Sequence, residues 1–308
     1  MKELLKSLLR AQRNFLLEKE IGRKAIIFLP YAWLICFFLV PFFIILKISL
    51  SEPTIAMPPF KPLWTWVDDG ILQIRLFLNT YQIIFDDDLY IFAYLESIKI
   101  AGAATFFCLL IGYPMAYGIS RSSPKKQNIL LLMVILPFWT SFLLRIYAWM
   151  GILSPTGILN KGLMLLGVID TPLKLMQTDF AVCLGMVYCY LPFMIFPLYA
   201  SLEKFDYSLL EAAADLGCKP WKAFIKITLP LTSRAMVTGA MLVFIPATGE
   251  FVIPELLGSS KTLMLGKVIW TEFFTNRDWP MAATLSILVL VLLLLPVMIF
   301  QRTRKEKP

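Results

Sequence analysis

Along this chain apolar residues come in runs of about 20, separated by shorter polar and basic stretches, and about 20 apolar residues is the length a helix needs to cross a membrane. The runs predict six spans, at Ala25–Leu46, Lys99–Ile119, Ile129–Met150, Phe180–Leu198, Ala235–Ile253 and Met281–Phe300. The expected class is therefore an all-α membrane protein with six transmembrane helices. Its expected divisions are a tail over 1–24, a first span with an outer loop over 25–94, a five-helix core over 95–300 and a short tail over 301–308. The first run follows a 24-residue charged tail and has no small-residue cleavage site, so it reads as a span rather than a signal peptide. Several runs carry helix breakers: Gly112 and Pro114, Pro137, Pro192 and Pro197, and Pro246 with Gly249. Such breaks are tolerated at membrane depth only where protein or a watery cavity re-satisfies the backbone, and interrupted helices are frequent around transport sites.

The polar stretches between the runs carry their own signals. In "EAAADLGCKPWKAFIKITLP", residues 211–230, Ser208 and Glu211 have the spacing of a capping box, and a short helix is expected to Leu216. Gly217 then stands where a helix ends in a left-handed residue, and Pro220 suits the first turn of a second helix that Leu229-Pro230 should stop. The expected elbow lies outside the membrane, with alanines small enough to let another surface come close. Residues 1–24 read either as an amphipathic helix on the inner membrane surface, among lipid headgroups, or as a basic tail that only sets topology. Asp86, Asp87 and Asp88 read as a solvated turn or helix start, or as a cluster facing a cationic ligand.

Charge then orients the molecule. The tail 1–24, the segments 121–128 and 201–234 and the C-terminal tail hold 19 lysines and arginines, against eight in the longer stretches 47–93, 151–179 and 254–280. Lys and Arg gather on the cytoplasmic side, so both termini and the 201–234 loop are expected there. The net charge of +8 is mostly this topology signal and calls for no nucleic-acid partner. The chain has no histidine, and its five cysteines (Cys36, Cys108, Cys183 and Cys189 in spans, Cys218 in the loop) lack zinc-ligand spacing. A metal site or a histidine-based triad is not expected, and with no nucleophile–base constellation neither is an enzyme. No GxxxxGK[ST] phosphate loop occurs, so no cofactor belongs to this chain, and any ATP with its Mg must sit on another one.

The spacing Glu211-Ala212-Ala213, three residues, Gly217, nine residues, Ile227-x-Leu229-Pro230 resembles the loop of permease subunits of bacterial binding-protein-dependent ABC importers. The segments "PYAWLICFFLVPFFIILKISLSE", "NILLLMVILPFWTSFLLRIYAWMGIL", "AMLVFIPATGEFVIPELLG" and "EFFTNRDWP" look like the polyamine branch, closest to its putrescine permease subunits, over roughly residues 20–300. The resemblance implies a type I importer permease fold and a docking loop that couples a cytoplasmic ATPase to the membrane domain. It also implies a sister permease, two ATPase subunits and a periplasmic polyamine-binding protein as partners.

For a cargo with an ammonium at each end, a site needs carboxylates and ring faces. Glu250 is the leading candidate, because a carboxylate in a span is costly unless it faces a cavity or a partner. Its alternative is a structural ion pair with Arg145. Counted from the start of the third span, Arg145 falls about 24 Å along the helix, near the outer surface, where a gate or ion-pair role suits it. Tyr147, Trp149, Tyr188 and Tyr190 offer rings, and Glu96 and Lys99 are spaced to pair locally. An importer for another solute, or an ion-coupled carrier using Glu250 as its proton site, remains open at this point.

Overall fold

The computed structural model describes residues 26–67 and 71–305; the tail expected over 1–24 lies outside them. The chain divides into two units, Met1–Thr80 with Trp279–Ile287, and Tyr81–Asp278 with Leu288–Pro308.

In the first unit, helix α1 (Ile26–Ser49) carries no charged residue before Lys47, and the chain buries none of its most hydrophobic window. Its surface is left for a membrane to cover. The following loop turns back on itself: the Phe77 amide donates to the Leu50 carbonyl at 2.9 Å, and Glu52 pairs with Lys61 at 2.7 Å. Within that loop β1 (Trp64–Val67) pairs antiparallel with β2 (Ile71–Ile74), Trp64 opposite Ile74. This hairpin is one departure from the all-helical expectation, in segments rich in β-branched and aromatic residues. The Lys47 ammonium lies 4.1 Å from the centre of the Trp64 ring, tying the end of α1 to the hairpin.

The remaining elements are α2 (Asn79–Asp86), α3 (Asp88–Ser120), α4 (Pro124–Ile135), α5 (Phe142–Leu153), α6 (Ile158–Leu165), α7 (Asp179–Glu203), α8 (Ser208–Asp215), α9 (Pro220–Thr248), α10 (Val252–Leu257), α11 (Leu265–Trp270) and α12 (Trp279–Lys305). Asp87 caps α3 by accepting the Leu89 amide at 2.9 Å, so of the readings open for 86–88 the helix start is the one realised. With 33 residues α3 is about 50 Å long and passes Pro114 without stopping.

Helices α3, α7 and α9 make the core of the second unit. Along α3 the stripe Ala101, Ala104, Cys108, Gly112 and Ala116 is buried. Small side chains at i, i+3 and i+4 spacing let helix backbones approach, and close packing is what holds helices together where lipid is as apolar as leucine. Met194 of α7 fills the contact: a Cβ at Gly112 would lie 3.1 Å from its Cγ, and one at Gly239 2.7 Å from its Sδ. Polar cross-links are few. Tyr113 and Thr232 share a buried 2.8 Å bond, and the Ser97 hydroxyl accepts the Leu265 amide at 2.7 Å. Lys99 pairs with Glu96 at 3.1 Å, as the spacing predicts.

Among the described residues five stretches are long and apolar enough to cross a membrane, Ile26–Ser49, Asp88–Ser120, Phe142–Leu165, Asp179–Glu203 and Pro220–Thr248, where six were expected. The third expected span is broken and displaced. Helix α4 ends at Ile135, a 3-10 turn covers Leu136–Trp139 and Thr140 is extended, because Pro137 supplies no amide to continue the α-helical ladder. The stretch that reaches membrane length starts instead at Phe142. Of the sixth expected span, the described part of α12 gives the apolar segment Trp279–Leu295, short of that length. The fifth expected span also shifts. Its helix begins at Pro220, and Leu229-Pro230 does not stop it, because the π turn Phe224–Thr228 widens the helix just before the proline.

Candidate functional site

Helix α9 ends at Thr248, and Gly249, Glu250 and Phe251 form a non-helical link before α10. The break expected from Pro246 and Gly249 is real, and Glu250 stands in it. One carboxylate oxygen accepts the Val252 amide at 3.0 Å and so caps α10. The other accepts the Tyr190 hydroxyl of α7 at 2.5 Å. Both donors are neutral, and among the described residues no ion pair reaches Glu250. A carboxylate offers about four lone-pair sites, so half of its accepting capacity stays open. The C-terminal end of α9, the negative end of its dipole, reaches the same break. Charge and dipole together make a place that favours a cation.

Aromatic rings lie beside the residues next to it, Phe251 in the link and Tyr190 on α7. Phe251 stacks on Trp270 at 4.4 Å and 9°, and Trp270 lies 4.1 Å from Phe274. On the α7 side the Tyr190 and Phe193 rings lie 6.3 Å apart. This ladder through Phe251, Trp270 and Phe274 was missed in the sequence, since its members sit on three elements; the signal available was their occurrence in the segments flanking Glu250.

Arg145 is on α5, in the first turn, its amide bonded to the Ser141 carbonyl. The depth counted along a continuous third span therefore does not apply. A cation at a helix N-terminus is poorly placed for the dipole. The guanidinium is held instead by ring faces, 4.6 Å from Phe138 and 5.6 Å from Phe142. Its Nε and Nη1 are buried without a hydrogen-bond partner. No Arg145–Glu250 ion pair is formed in this conformation. Arg145, Thr140, Ala148, Trp149 and Tyr188 line a groove of about 350 Å³, with Trp149 edge-on to Tyr188 at 5.5 Å. Tyr147 is exposed on α5 and takes no part in that lining.

The second candidate surface is the elbow. Gly217 has φ of +77°, and the Cys218 and Gly217 amides donate to the Ala213 and Ala214 carbonyls, the paired bonds of a left-handed helix end. The expected capping box is not made. Asp206 caps α8 instead, accepting the Ser208 amide at 3.0 Å. The Ser208 hydroxyl and amide bonds hold the Asp206 carboxyl below its ordinary range. A carboxylate two residues upstream outcompetes a neutral serine because it adds charge at the positive end of the helix. Helix α8 also ends at Asp215, one residue before the expected end. Pro220 opens α9, as expected. Glu211, Ala212 and Pro230 are exposed, Ala213 and Ile227 half-buried, and Leu229 packs against the core. Leu209, Leu216, Trp221 and Ile225 leave an apolar surface beside the alanines.

Residues 108–303, which include the elbow and the broken helix, match the family described as binding-protein-dependent transport system inner membrane component. The chain belongs to this family. It is a multi-pass bacterial inner-membrane protein. The permease is similar to the spermidine/putrescine transport system permease protein PotB of Haemophilus influenzae, 38% identical over 283 residues that cover 92% of this chain and 94% of that one. It is 41% identical over 238 residues to the protein of the same name in Escherichia coli K12, covering 77% and 86% of the two chains. Among solved structures it superposes on a bacterial ABC transporter involved in the import of the acidic polysaccharide alginate, with a TM-score of 0.69 at 16% identity, over 95% of this permease and 99% of that chain. The fold is that of type I ABC importer permeases.

Proposed function

We propose that this permease is the membrane subunit of an ATP-driven importer that carries putrescine or a related polyamine across the inner membrane. The observation that carries the reading is Glu250, an anion at a helix break whose described partners are both neutral, beside stacked aromatic rings. A diamine presents an ammonium that fills the open half of the carboxylate and a chain that lies along ring faces. The names of the relatives support the same cargo class. Glu250 and Tyr190 hold the ammonium, while Tyr147, Tyr188 and Arg145 border the pathway.

A sister permease completes the channel, two ATPase subunits bind and hydrolyse ATP with its Mg, and a periplasmic polyamine-binding protein delivers cargo. Glu211, Ala212, Ala213 and Gly217 dock on the ATPase, with Ile227, Leu229 and Pro230 anchoring the elbow to α9. The capped helix with its exposed apolar surface supports that role, and the basic asymmetry of the loops supports a cytoplasmic position for the elbow and both termini.

The test is uptake by the reconstituted four-component complex with labelled putrescine, spermidine and an unrelated solute. Glu250→Gln keeps shape but removes the charge. Losing one charge-assisted contact costs about 1.5–3 kcal/mol, and each ~1.4 kcal/mol is tenfold in the corresponding equilibrium. Uptake at low putrescine should fall at least about tenfold while the complex still assembles. Wild-type uptake by this variant refutes the cargo role.

A further inference from the structure

Arg145 and Glu250 are opposite charges, each without its natural partner, on two sides of one helix turn. Tyr188 borders the groove that holds Arg145, and Tyr190 donates to Glu250. These two tyrosines are separated along α7 by about 3 Å of rise. Phe138, on which the guanidinium rests, meets Phe193 edge-on at 5.6 Å, and Phe193 lies 6.3 Å from the Tyr190 ring. Two rings therefore link the seat of the guanidinium to the tyrosine that holds the carboxylate. Yet the guanidinium leaves two buried nitrogens without an acceptor, resting on Phe138 and Phe142, while the carboxylate is held by a hydroxyl and an amide.

Neither arrangement is the best one open to these groups. Buried N–H groups with no acceptor are costly, and a guanidinium matches a carboxylate in shape as well as in charge. What keeps them apart here is weak on the Arg145 side. Ring contacts are worth less than a charge-assisted hydrogen bond.

We propose that Arg145 is a resident competitor for the cargo site: in one state of the cycle its guanidinium takes the open half of the Glu250 carboxylate, and in the other it withdraws to the rings and leaves that place to an ammonium of the cargo. This rests on Glu250 being a cargo ligand. Its consequence is that the cavity binds cargo more weakly than an unguarded carboxylate would, so cargo leaves once the cavity opens. If Arg145 holds the carboxylate about nine-tenths of the time, apparent affinity is lowered about tenfold.

The experiment is equilibrium dialysis of labelled putrescine against the purified permease–ATPase complex without the binding protein, alongside uptake by the full importer. Arg145→Gln should bind putrescine about tenfold more tightly than wild type and turn over more slowly, because cargo is retained. Arg145→Lys, which keeps a cation, should return binding toward the wild-type level. In the Glu250→Gln background, Arg145→Gln should produce no tightening, since the shared anion is gone. Unchanged or weaker putrescine binding by an assembled Arg145→Gln complex overturns the proposal, and so does tightening that persists in the Glu250→Gln background. If Arg145→Gln fails to assemble, Arg145→Lys decides alone: binding about as weak as wild type supports the competitor, and binding about tenfold tighter overturns it. Loss of uptake in Glu250→Gln with no tightening in Arg145→Gln refutes the competitor alone and leaves the polyamine reading standing.

Discussion

At the scale of single residues, Tyr190 is as informative as Glu250. Its hydroxyl is the contact that fixes the carboxylate to α7, and that helix also carries Met194 into the packed core. Tyr190→Phe removes one hydrogen bond to a charged group, worth about 1.5–3 kcal/mol, without opening a cavity larger than one oxygen. Low-concentration putrescine uptake should fall about tenfold, and Tyr190→Phe added to Glu250→Gln should cost little more, because the two act as one unit. Full additivity in a double-mutant cycle on uptake contradicts that arrangement. Glu250 was legible in the sequence because an acid among apolar residues has few explanations. Tyr190 was only one of four rings there, since nothing local in "GMVYCYLPF" says which tyrosine faces a residue 60 positions away. The Arg145–Glu250 ion pair was equally reasonable from charge alone. It is not formed here: Arg145 sits on a helix that starts after the break at Pro137, with its guanidinium on the Phe138 and Phe142 rings.

At the scale of elements, the elbow was read almost completely from its own residues. Gly217, Pro220 and the helix they separate depend on backbone chemistry that is local in sequence. The two misreadings there, at Ser208 and at Leu229-Pro230, concern competition: a nearby aspartate took the cap, and a π turn absorbed the proline. The long spans shifted for the related reason that hydropathy records apolar length but not helix continuity. Gly217→Val forces a β-branched residue into φ of +77°, at a cost of about 1–3 kcal/mol, and should leave membrane insertion normal while uncoupling ATP hydrolysis from uptake. Wild-type ATPase co-purification together with intact transport would contradict this. A second contact fixes the root of the elbow. The Arg121 guanidinium lies 4.5 Å from the centre of the Tyr207 ring and 5.7 Å from that of Tyr117, and the Tyr207 hydroxyl is 3.3 Å from Ser120 Oγ. Phe224 of α9 meets Tyr117 edge-on at 6.0 Å. Arg121→Ala should therefore raise the ATP hydrolysed per putrescine imported several-fold, with an exposed cation–ring contact worth about 0.5–1 kcal/mol setting the size of the effect. An unchanged ratio in reconstituted vesicles would remove Arg121 from the coupling route.

At the scale of the whole molecule, orientation rests on the distribution of basic residues rather than on any one contact. A cysteine placed at Asp87, the exposed cap of α3, should react with an impermeant thiol reagent added from the periplasm, while Cys218 of the elbow should be protected until the membrane is opened. The reverse pattern inverts the topology and removes the ATPase from the elbow. Six-span counting came close because length and hydropathy are properties of the chain alone. The hairpin β1–β2 escaped it, since a two-stranded ribbon in a long loop leaves only four-residue signals. The exposed apolar surface of the elbow has a further consequence for the life of the chain in the cell. Leu216 is 88% exposed, Trp221 59% and Ile225 52%, an apolar surface that a docked ATPase would cover under the proposed function. If the ATPase docks there as proposed, a copy made in excess of it carries that surface bare to chaperones and proteases: in a pulse-chase experiment the half-life of the permease should lengthen when the ATPase is co-expressed, and Leu216→Ser with Trp221→Ser should lengthen it without the ATPase.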